Sequence, residues 1–339
     1  MGCIIPSVLS NNKAVKPFKL MFIKCDTIKI RSNYKYLKEM KIPFNIQYNQ
    51  QKNKEHGRYF HSKYSPAIPF NVYVAINNQH QTLEIEFSSK ILRERYPELI
   101  SRYTIRQCLE NLNQLGICTV DVDGILRHGW IIRADVTKDV DMKLTDEILY
   151  ALNQNIGDYK RFKCAHYAHK GITFTKDVVY GKEEIKVYDK YQELLKRSRK
   201  FVDTLNNRNE VMNHFYGKTR FEIKLEGESQ IRERLGVGNG IKDFFDALDT
   251  PIREQFDRIF DVSAKVLDTS QCGGHDDWAM AYVLDAFKGD LKMIEQALRA
   301  DSVFSSRNGL TNKMKKYELL KSMVSRKENE IIKQVRNLL

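Results

Sequence analysis

The stretch WIIRADVT, residues 130–137, alternates apolar and polar side chains. A period of two puts Trp130, Ile132, Ala134 and Val136 on one face of a strand, and Arg133 and Asp135 on the other. Three other stretches read the same way. LEIEF (83–87) sets Leu83, Ile85 and Phe87 against Glu84 and Glu86. EIKVYD (184–189) sets Ile185 and Val187 against Lys186 and Tyr188. RFEIKL (220–225) sets Phe221, Ile223 and Leu225 against Arg220, Glu222 and Lys224. Joined in one antiparallel sheet, these strands have a core face and a face that collects carboxylates, a phenol and cations.

Outward from this frame, FNVYVAI (70–76), Cys118–Val122 and Gly171–Thr175 predict further strands, and KLMFIKC (19–25) is strand-like. Ile105, Cys108, Leu109 and Leu112 recur at helical spacing within 100–115, with Gly116 as the C-cap. A helix with Thr145 as N-cap is predicted over 144–153, and a basic one over 190–205. Gln47–His61 is polar and charged and reads as a loop. Beyond residue 230 helical periodicity dominates, broken at 236–240, 272–274 and 308–309. The expected fold class is α+β, a central antiparallel sheet with flanking helices followed by a mainly helical C-terminal part. The boundaries drawn are 1–235 and 236–339, leaving open whether 1–80 is an accessory part of the first.

Lys and Arg number 56 against 43 Asp and Glu, a net charge of +13, which favours a polyanionic partner. No apolar run is long enough to span a membrane, and the first residues lack a basic n-region, so neither a span nor a secretory leader is expected. Pro6 stands where a myristoylation signal needs Ser or Thr. Six scattered cysteines without a C-x-x-C pair read as reduced thiols of a cytoplasmic protein and argue against a zinc cluster. VGNG (237–240) has no Lys-Ser/Thr after it, which argues against a nucleotide loop.

The polar faces of the four strands have two readings. They are ordinary solvated strand faces, or their carboxylates, tyrosine and cations serve phosphoryl transfer through a covalent tyrosine, with oxygen ligands suited to Mg²⁺ or Mn²⁺. Residues 153–200 carry 12 Lys/Arg against 6 Asp/Glu, with Tyr159, Phe162, Tyr167 and Phe174 interleaved, a composition suited to phosphate attraction and base stacking. The tail 311–339 is a second basic helical stretch, suited to a DNA backbone or to a dimer contact.

Four segments resemble the phage and plasmid replication initiators of the gene II/X type, and more distantly the Rep_trans plasmid initiators, within the rolling-circle endonuclease group. They are IEFSSKIL (85–92), LRHGWIIRADVTKDV (126–140) with an R-x-D core, EIKVYDKYQEL (184–194) and TRFEIKLEGESQIRERLG (219–236), in the family's order. The resemblance implies a rolling-circle endonuclease-like sheet and site-specific nicking and rejoining of one strand of origin DNA. Tyr188 would be the nucleophile that retains the 5′-phosphate. Asp135, Glu222 and Glu86 would hold Mg²⁺ or Mn²⁺, with Glu84 as the alternative to Glu86. Lys186, Lys190 and Lys224 would clamp phosphate. Arg133, Arg220, Lys196, Arg197 and Tyr191 would contact DNA, and Tyr191 is also a candidate second nucleophile. Partners would be single-stranded or supercoiled origin DNA and the host helicase and polymerase; a homodimer fits as well. The family's His-hydrophobe-His motif is absent, and His166 and His169 have a different spacing. Rival readings are a conjugative relaxase with the same chemistry, a water-using nuclease, and a non-catalytic origin- or operator-binding protein.

Overall fold

A computed structural model describes residues 21–49, 54–154, 163–167, 170–178, 181–260, 265–304 and 306–339. Pro6, Tyr159, Phe162 and His169 lie outside the described residues. In chain order the first half holds β1 (Cys25–Asn33), β2 (Leu37–Met40), β3 (Asn45–Asn49), β4 (Lys54–His61), β5 (Val72–Asn77), β6 (Thr82–Ser88), α1 (Ile105–Gln114), β7 (Cys118–Val120), α2 (Val122–His128), β8 (Trp130–Val140) and α3 (Asp146–Gln154). The second half holds β9 (Lys163–Tyr167), β10 (Gly171–Val178), β11 (Gly181–Asp189), α4 (Lys190–Lys196), α5 (Arg199–Val202), α6 (Arg208–Phe215), β12 (Thr219–Glu226), α7 (Glu228–Leu235), α8 (Ile241–Phe245) and α9 (Pro251–Ile259). It closes with β13 (Lys265–Asp268), α10 (His275–Ala286), α11 (Leu291–Ala300), α12 (Arg307–Met323), β14 (Ser325–Glu328) and α13 (Glu330–Leu338).

The fold is mixed α and β around one large antiparallel sheet of ten strands, in the order β3-β4-β5-β6-β1-β8-β12-β11-β10-β9. The four alternating stretches all lie in it, on β6, β8, β11 and β12. Their apolar side chains form the core face: Ile85, Phe87, Ala134, Val136, Ile185, Val187, Phe221 and Ile223 are all buried. Helices α8 and α9 pack against this face, and α13 returns from the chain end to pack on α9 and α3.

Two expectations are corrected here. Within the segment read as a loop, 47–61, residues 47–49 belong instead to the edge strand β3 and 54–61 to its neighbour β4. An edge strand has half its backbone groups and much of its side-chain surface in water, so charged residues are tolerated and the apolar signal fades. The alternation of β8 also breaks. Cross-strand partners shift between Lys29 and Ile30, so Ile131, not Ile132 or Trp130, is fully buried opposite Ile30. Such a bulge reverses the facing of every residue beyond it on that side.

Local signals explain the helices. The buried side of α1 is Ile105, Cys108, Leu109 and Leu112. Asp121, Asp189 and Asn329 cap α2, α4 and α13 by accepting backbone N–H bonds. Thr145 Oγ1 accepts from the Ile148 amide at 3.3 Å, ahead of α3. The predicted basic helix is broken into α4 and α5.

Two buried apolar clusters are separate. The larger runs from Ile23 to Phe260 and takes up Ile332, Val335 and Leu339 of the chain end. The smaller, from Met280 to Leu320, joins α10, α11 and α12. Cys25, Cys108 and Cys118 are buried free thiols, and Cys164 and Cys272 are free as well. Among the described residues no helix is long and apolar enough to cross a membrane.

Candidate active site on the polar face of the sheet

Cross-strand partners in an antiparallel sheet share a face. Lys186 on β11 stands opposite Glu222 on β12, Glu222 opposite Thr137 on β8, and Lys224 opposite Asp135. Tyr188 stands opposite Arg220, and Arg220 opposite Asp139. The register of three adjacent strands therefore brings together residues 135, 186, 188 and 222.

The Tyr188 hydroxyl donates to Glu222 Oε2 at 3.0 Å, and Lys186 Nζ donates to Glu222 Oε1 at 2.9 Å. Lys186 also reaches Glu184 at 3.0 Å. Tyr188 and Glu222 are only 7% and 6% exposed. Burial, with the neighbouring Glu222 charge, pushes the Tyr188 phenol well above its ordinary range, against a smaller downward pull from Arg220. The tyrosine is therefore a neutral phenol whose proton already points at a carboxylate. Burial works against the Lys186 ammonium, but Glu222 and Glu184 outweigh it and hold the amine charged.

Asp135 is 6% exposed and its Oδ1 has no hydrogen-bond partner. Burial and the Glu222 charge push its carboxyl up to about 7, against Arg133 and Lys186. A buried carboxylate beside a second carboxylate, with one oxygen unclaimed, is an incomplete electrostatic arrangement. A divalent cation would complete it. Mg²⁺-type ions are commonly held by one or two carboxylates, with phosphate oxygens and water filling the other positions. Asp135 and Glu222 fit that donor set.

Glu86 and Glu84 do not join them. Glu86 lies on β6, two strands from Asp135, with β1 between. It accepts from Asn71 at 2.8 Å and from Arg133 at 3.4 Å. Glu84 is held by Lys29 at 2.6 Å and Arg31 at 2.7 Å, which draw its carboxyl below the ordinary range against the effect of burial. Among the described residues no group of three or more His, Cys, Asp or Glu is placed to hold a metal ion; the sequence expectation is three carboxylates, Asp135 and Glu222 with either Glu86 or Glu84, and of these only Asp135 and Glu222 lie on adjacent strands. His166 is an exposed residue of β9.

Arg220 and Lys190 correct their expected roles. Arg220 is fully buried and cannot reach a DNA phosphate. Its guanidinium donates to both oxygens of Asp139, at 2.6 and 2.8 Å, and to Asp26 at 2.7 Å. Tyr96 and Phe215 roof it, with ring centroids 6.0 and 5.4 Å from the guanidinium carbon. Lys190 is 1% exposed; it donates to Glu193 at 2.7 Å and lies 5.5 Å from the centre of the Tyr188 ring. Ser198 donates to Glu193 and accepts from Lys90, both at 2.7 Å. This end of the polar face is thus closed by the 3₁₀ segment Ser89–Glu98 and by α4, α5 and α6.

The other candidates are dispersed. Arg133 bridges Glu86 and Asp135, reaching the latter at 3.6 Å, and keeps a buried Nε without an acceptor. Lys224 pairs with Glu226 at 2.8 Å. Lys196 and Arg197 are exposed at the end of α4. Tyr191 packs edge-to-face on Tyr216 at 5.5 Å. Phe174, read as a stacking aromatic, is instead buried against Phe260 in the core. Tyr167 falls on β9.

Sequence reasoning missed the closed end. Asp139 lies four residues after Asp135 on the same strand face, a signal within WIIRADVTKD that alternation makes readable. Asp26 gives no such signal, because cross-strand partners shift around it, between Cys25 and Thr27. No protein-family model matches this chain, and no curated protein matches it.

Proposed function

We propose that this protein is a rolling-circle replication initiator, a DNA nickase and strand transferase acting on a phage or plasmid origin through Tyr188. One observation carries the reading: the Tyr188 hydroxyl donates to Glu222, beside a buried carboxylate with an unclaimed oxygen, on the polar face of the sheet.

In the proposed reaction Tyr188 Oη attacks the scissile phosphorus as its proton passes to Glu222 Oε2. The Oη–P bond forms, the P–O3′ bond breaks, and the departing 3′-oxygen takes a proton from water. The 5′-phosphate stays on the tyrosine, and the free 3′-hydroxyl serves as a primer. Reversal rejoins an end without ATP, because the phosphotyrosine conserves the bond energy. Lys186, charged and anchored by Glu222 and Glu184, offsets negative charge on the phosphate. A bound Mg²⁺ or Mn²⁺ at Asp135 and Glu222 would supply Lewis-acid polarisation of the phosphate. The fold is then read as rolling-circle endonuclease-like, with the α10–α12 unit as its helical C-terminal addition. The free thiols fit a cytoplasmic setting.

The test uses labelled single-stranded DNA spanning the replicon that carries the gene, with Mn²⁺. The expected result is a label migrating with the protein on a denaturing gel, abolished in Tyr188→Phe while DNA binding stays within about twofold. Cleavage that persists in Tyr188→Phe without an adduct indicates a water-using nuclease. Binding without any cleavage indicates a non-catalytic DNA-binding protein.

A further inference from the structure

The unit of α10, α11 and α12 has its own small core and contributes nothing to the candidate site. Its longest helix, α12, buries Leu310, Tyr317 and Leu320 on one side. At 3.6 residues per turn the opposite side carries Asn308, Thr311, Asn312, Lys315, Lys316 and Leu319, and all six are exposed. Ser306 caps the helix by accepting from the Gly309 amide at 3.1 Å. A Cβ at Gly309 would lie 3.2 Å from Ser306 Oγ and 3.3 Å from the Phe304 ring, so glycine lets the connection from α11 pack close to the helix.

We infer that this face of α12 is a recognition helix for duplex DNA, entering the major groove and reading base edges with Asn308 and Asn312. It is a second DNA contact, separate from the sheet, and rests on the initiator reading only in taking the origin as the sequence it reads. Residues 290–323 hold seven cations against four carboxylates. Asp290 caps α11 and Glu295 pairs with Arg299, which leaves Asp301 and Glu318. Against them α12 sets Arg307, Lys313, Lys315 and Lys316, none with an ion-pair partner among the described residues. Its fifth cation, Lys321, donates to the Gly289 carbonyl at 2.7 Å.

The make-up of α12 runs against what a merely solvated helix favours. Its first turn has no acidic residue, and Arg307 stands at the positive end of the helix dipole. Asn and Thr are weak helix formers, yet Asn308, Thr311 and Asn312 hold exposed positions where packing does not ask for them. Among the described residues neither asparagine side chain makes a hydrogen bond, and Thr311 only donates back to the Arg307 carbonyl at 2.9 Å. An arginine at a helix N-terminus attracts a phosphate, and two asparagine amides one turn apart match base edges, adenine above all. From Asn308 to Lys316 the helix rises about 12 Å, a length of three to four base steps. An acidic protein segment would use the cations and leave the amides idle. A membrane needs a broad apolar face, and this side of α12 offers Leu319 and Met323 alone.

The experiment selects duplexes from a random-sequence pool with the full chain in EDTA, which keeps metal-dependent cleavage off. Affinity for the enriched duplex and for a scrambled one is then read by fluorescence anisotropy. The expected result is one enriched sequence, bound about a thousandfold more tightly than the scrambled duplex. Asn308→Ala and Asn312→Ala each weaken the enriched duplex about tenfold and leave the scrambled one within about twofold. Both changes favour the helix, so the fold is kept. Lys316→Ala weakens both duplexes alike and lowers the salt slope by about one. Absence of enrichment overturns the inference, as does parental affinity when Asn308→Ala and Asn312→Ala are combined, or equal weakening on both duplexes. An oligomer that Leu319→Ala dissociates, in a chain that selects no duplex, gives the face to a second copy instead. Adduct formation on single-stranded origin DNA is read separately. If it succeeds while no duplex is enriched, the α12 inference alone fails. If discrimination depends on Asn308 and Asn312 but no adduct forms, the nicking reading alone fails.

Discussion

Arg220 and Glu222 are two residues apart on β12 and point to the same face of the sheet, yet their surroundings differ. Around Arg220 the charges Asp26, Asp139, Glu193, Lys190 and Lys90 are all paired and covered by aromatic rings. Around Glu222 the arrangement is left open, and Asp135 holds an oxygen that nothing claims. Buried charge is tolerated where partners neutralise it, and a cluster that is complete in this sense has nothing left to give a ligand. The incomplete cluster is the one with chemical potential. Tyr188 sits at the seam, with its hydroxyl bonded to Glu222 and Lys190 of the closed network against its ring.

The sharpest way to break this contrast is Arg220→Met. It removes the cation shared by Asp26 and Asp139 and leaves two buried carboxylates unpaired, at an expected cost of about 3–5 kcal/mol in denaturant unfolding. A cost below about 1 kcal/mol would show that the closed end is not a stabilising network.

Glu193→Gln is expected to cost somewhat less, about 2–3 kcal/mol at neutral pH, because it strands Lys190. Its pH dependence is diagnostic. Burial alone would raise the Glu193 carboxyl, but Lys190 and Lys90 hold it down to about 2. A depressed native value means that its stabilisation is present above the ordinary carboxylate range and disappears as pH falls through about 2. The stability gap between parent and Glu193→Gln should therefore close on acidification between about pH 4.5 and 2. A gap independent of pH would remove the ionic explanation.

Asp135→Asn is the smallest effect and has the opposite sign. With its carboxyl raised to about 7, the native state favours the protonated form. Asp135 therefore withholds stability above pH 7 and restores it as pH falls toward about 4. Asp135→Asn should melt slightly above the parent at pH 8, by roughly 1 kcal/mol or less in stability, with the two converging near pH 4. Added Mn²⁺ should raise the melting temperature of the parent and leave that of Asp135→Asn unchanged. Equal Mn²⁺ shifts in both proteins would remove Asp135 from the proposed cation site.

Much of the fold is legible in short segments. The alternation in LEIEF, EIKVYD and RFEIKL assigns strand, core face and polar face correctly, because a half-covered antiparallel strand imposes a period of two on its own residues. Legibility fails where that constraint relaxes. β3 is an edge strand, so its polar residues carry no clear period. The bulges near Cys25 and Ile30 shift facing by one residue, and only the partner strand reveals them.

For the candidate site, the sequence by itself determined which side chains leave the core: Asp135, Lys186, Tyr188, Glu222, Glu84, Glu86 and Arg220 all follow from alternation within single strands. Only the tertiary structure decided which of them meet. Strand order set β11, β12 and β8 side by side, which joined Tyr188 to Glu222 and put Glu222 beside Asp135, and it left Glu86 two strands away. Pairing then separated the rest, since Asp26 and Asp139 satisfy Arg220 whereas Asp135 beside Glu222 keeps an oxygen without a partner. A residue's facing is a local property of φ and ψ, whereas its neighbours and solvent exposure come from segments far away in the chain.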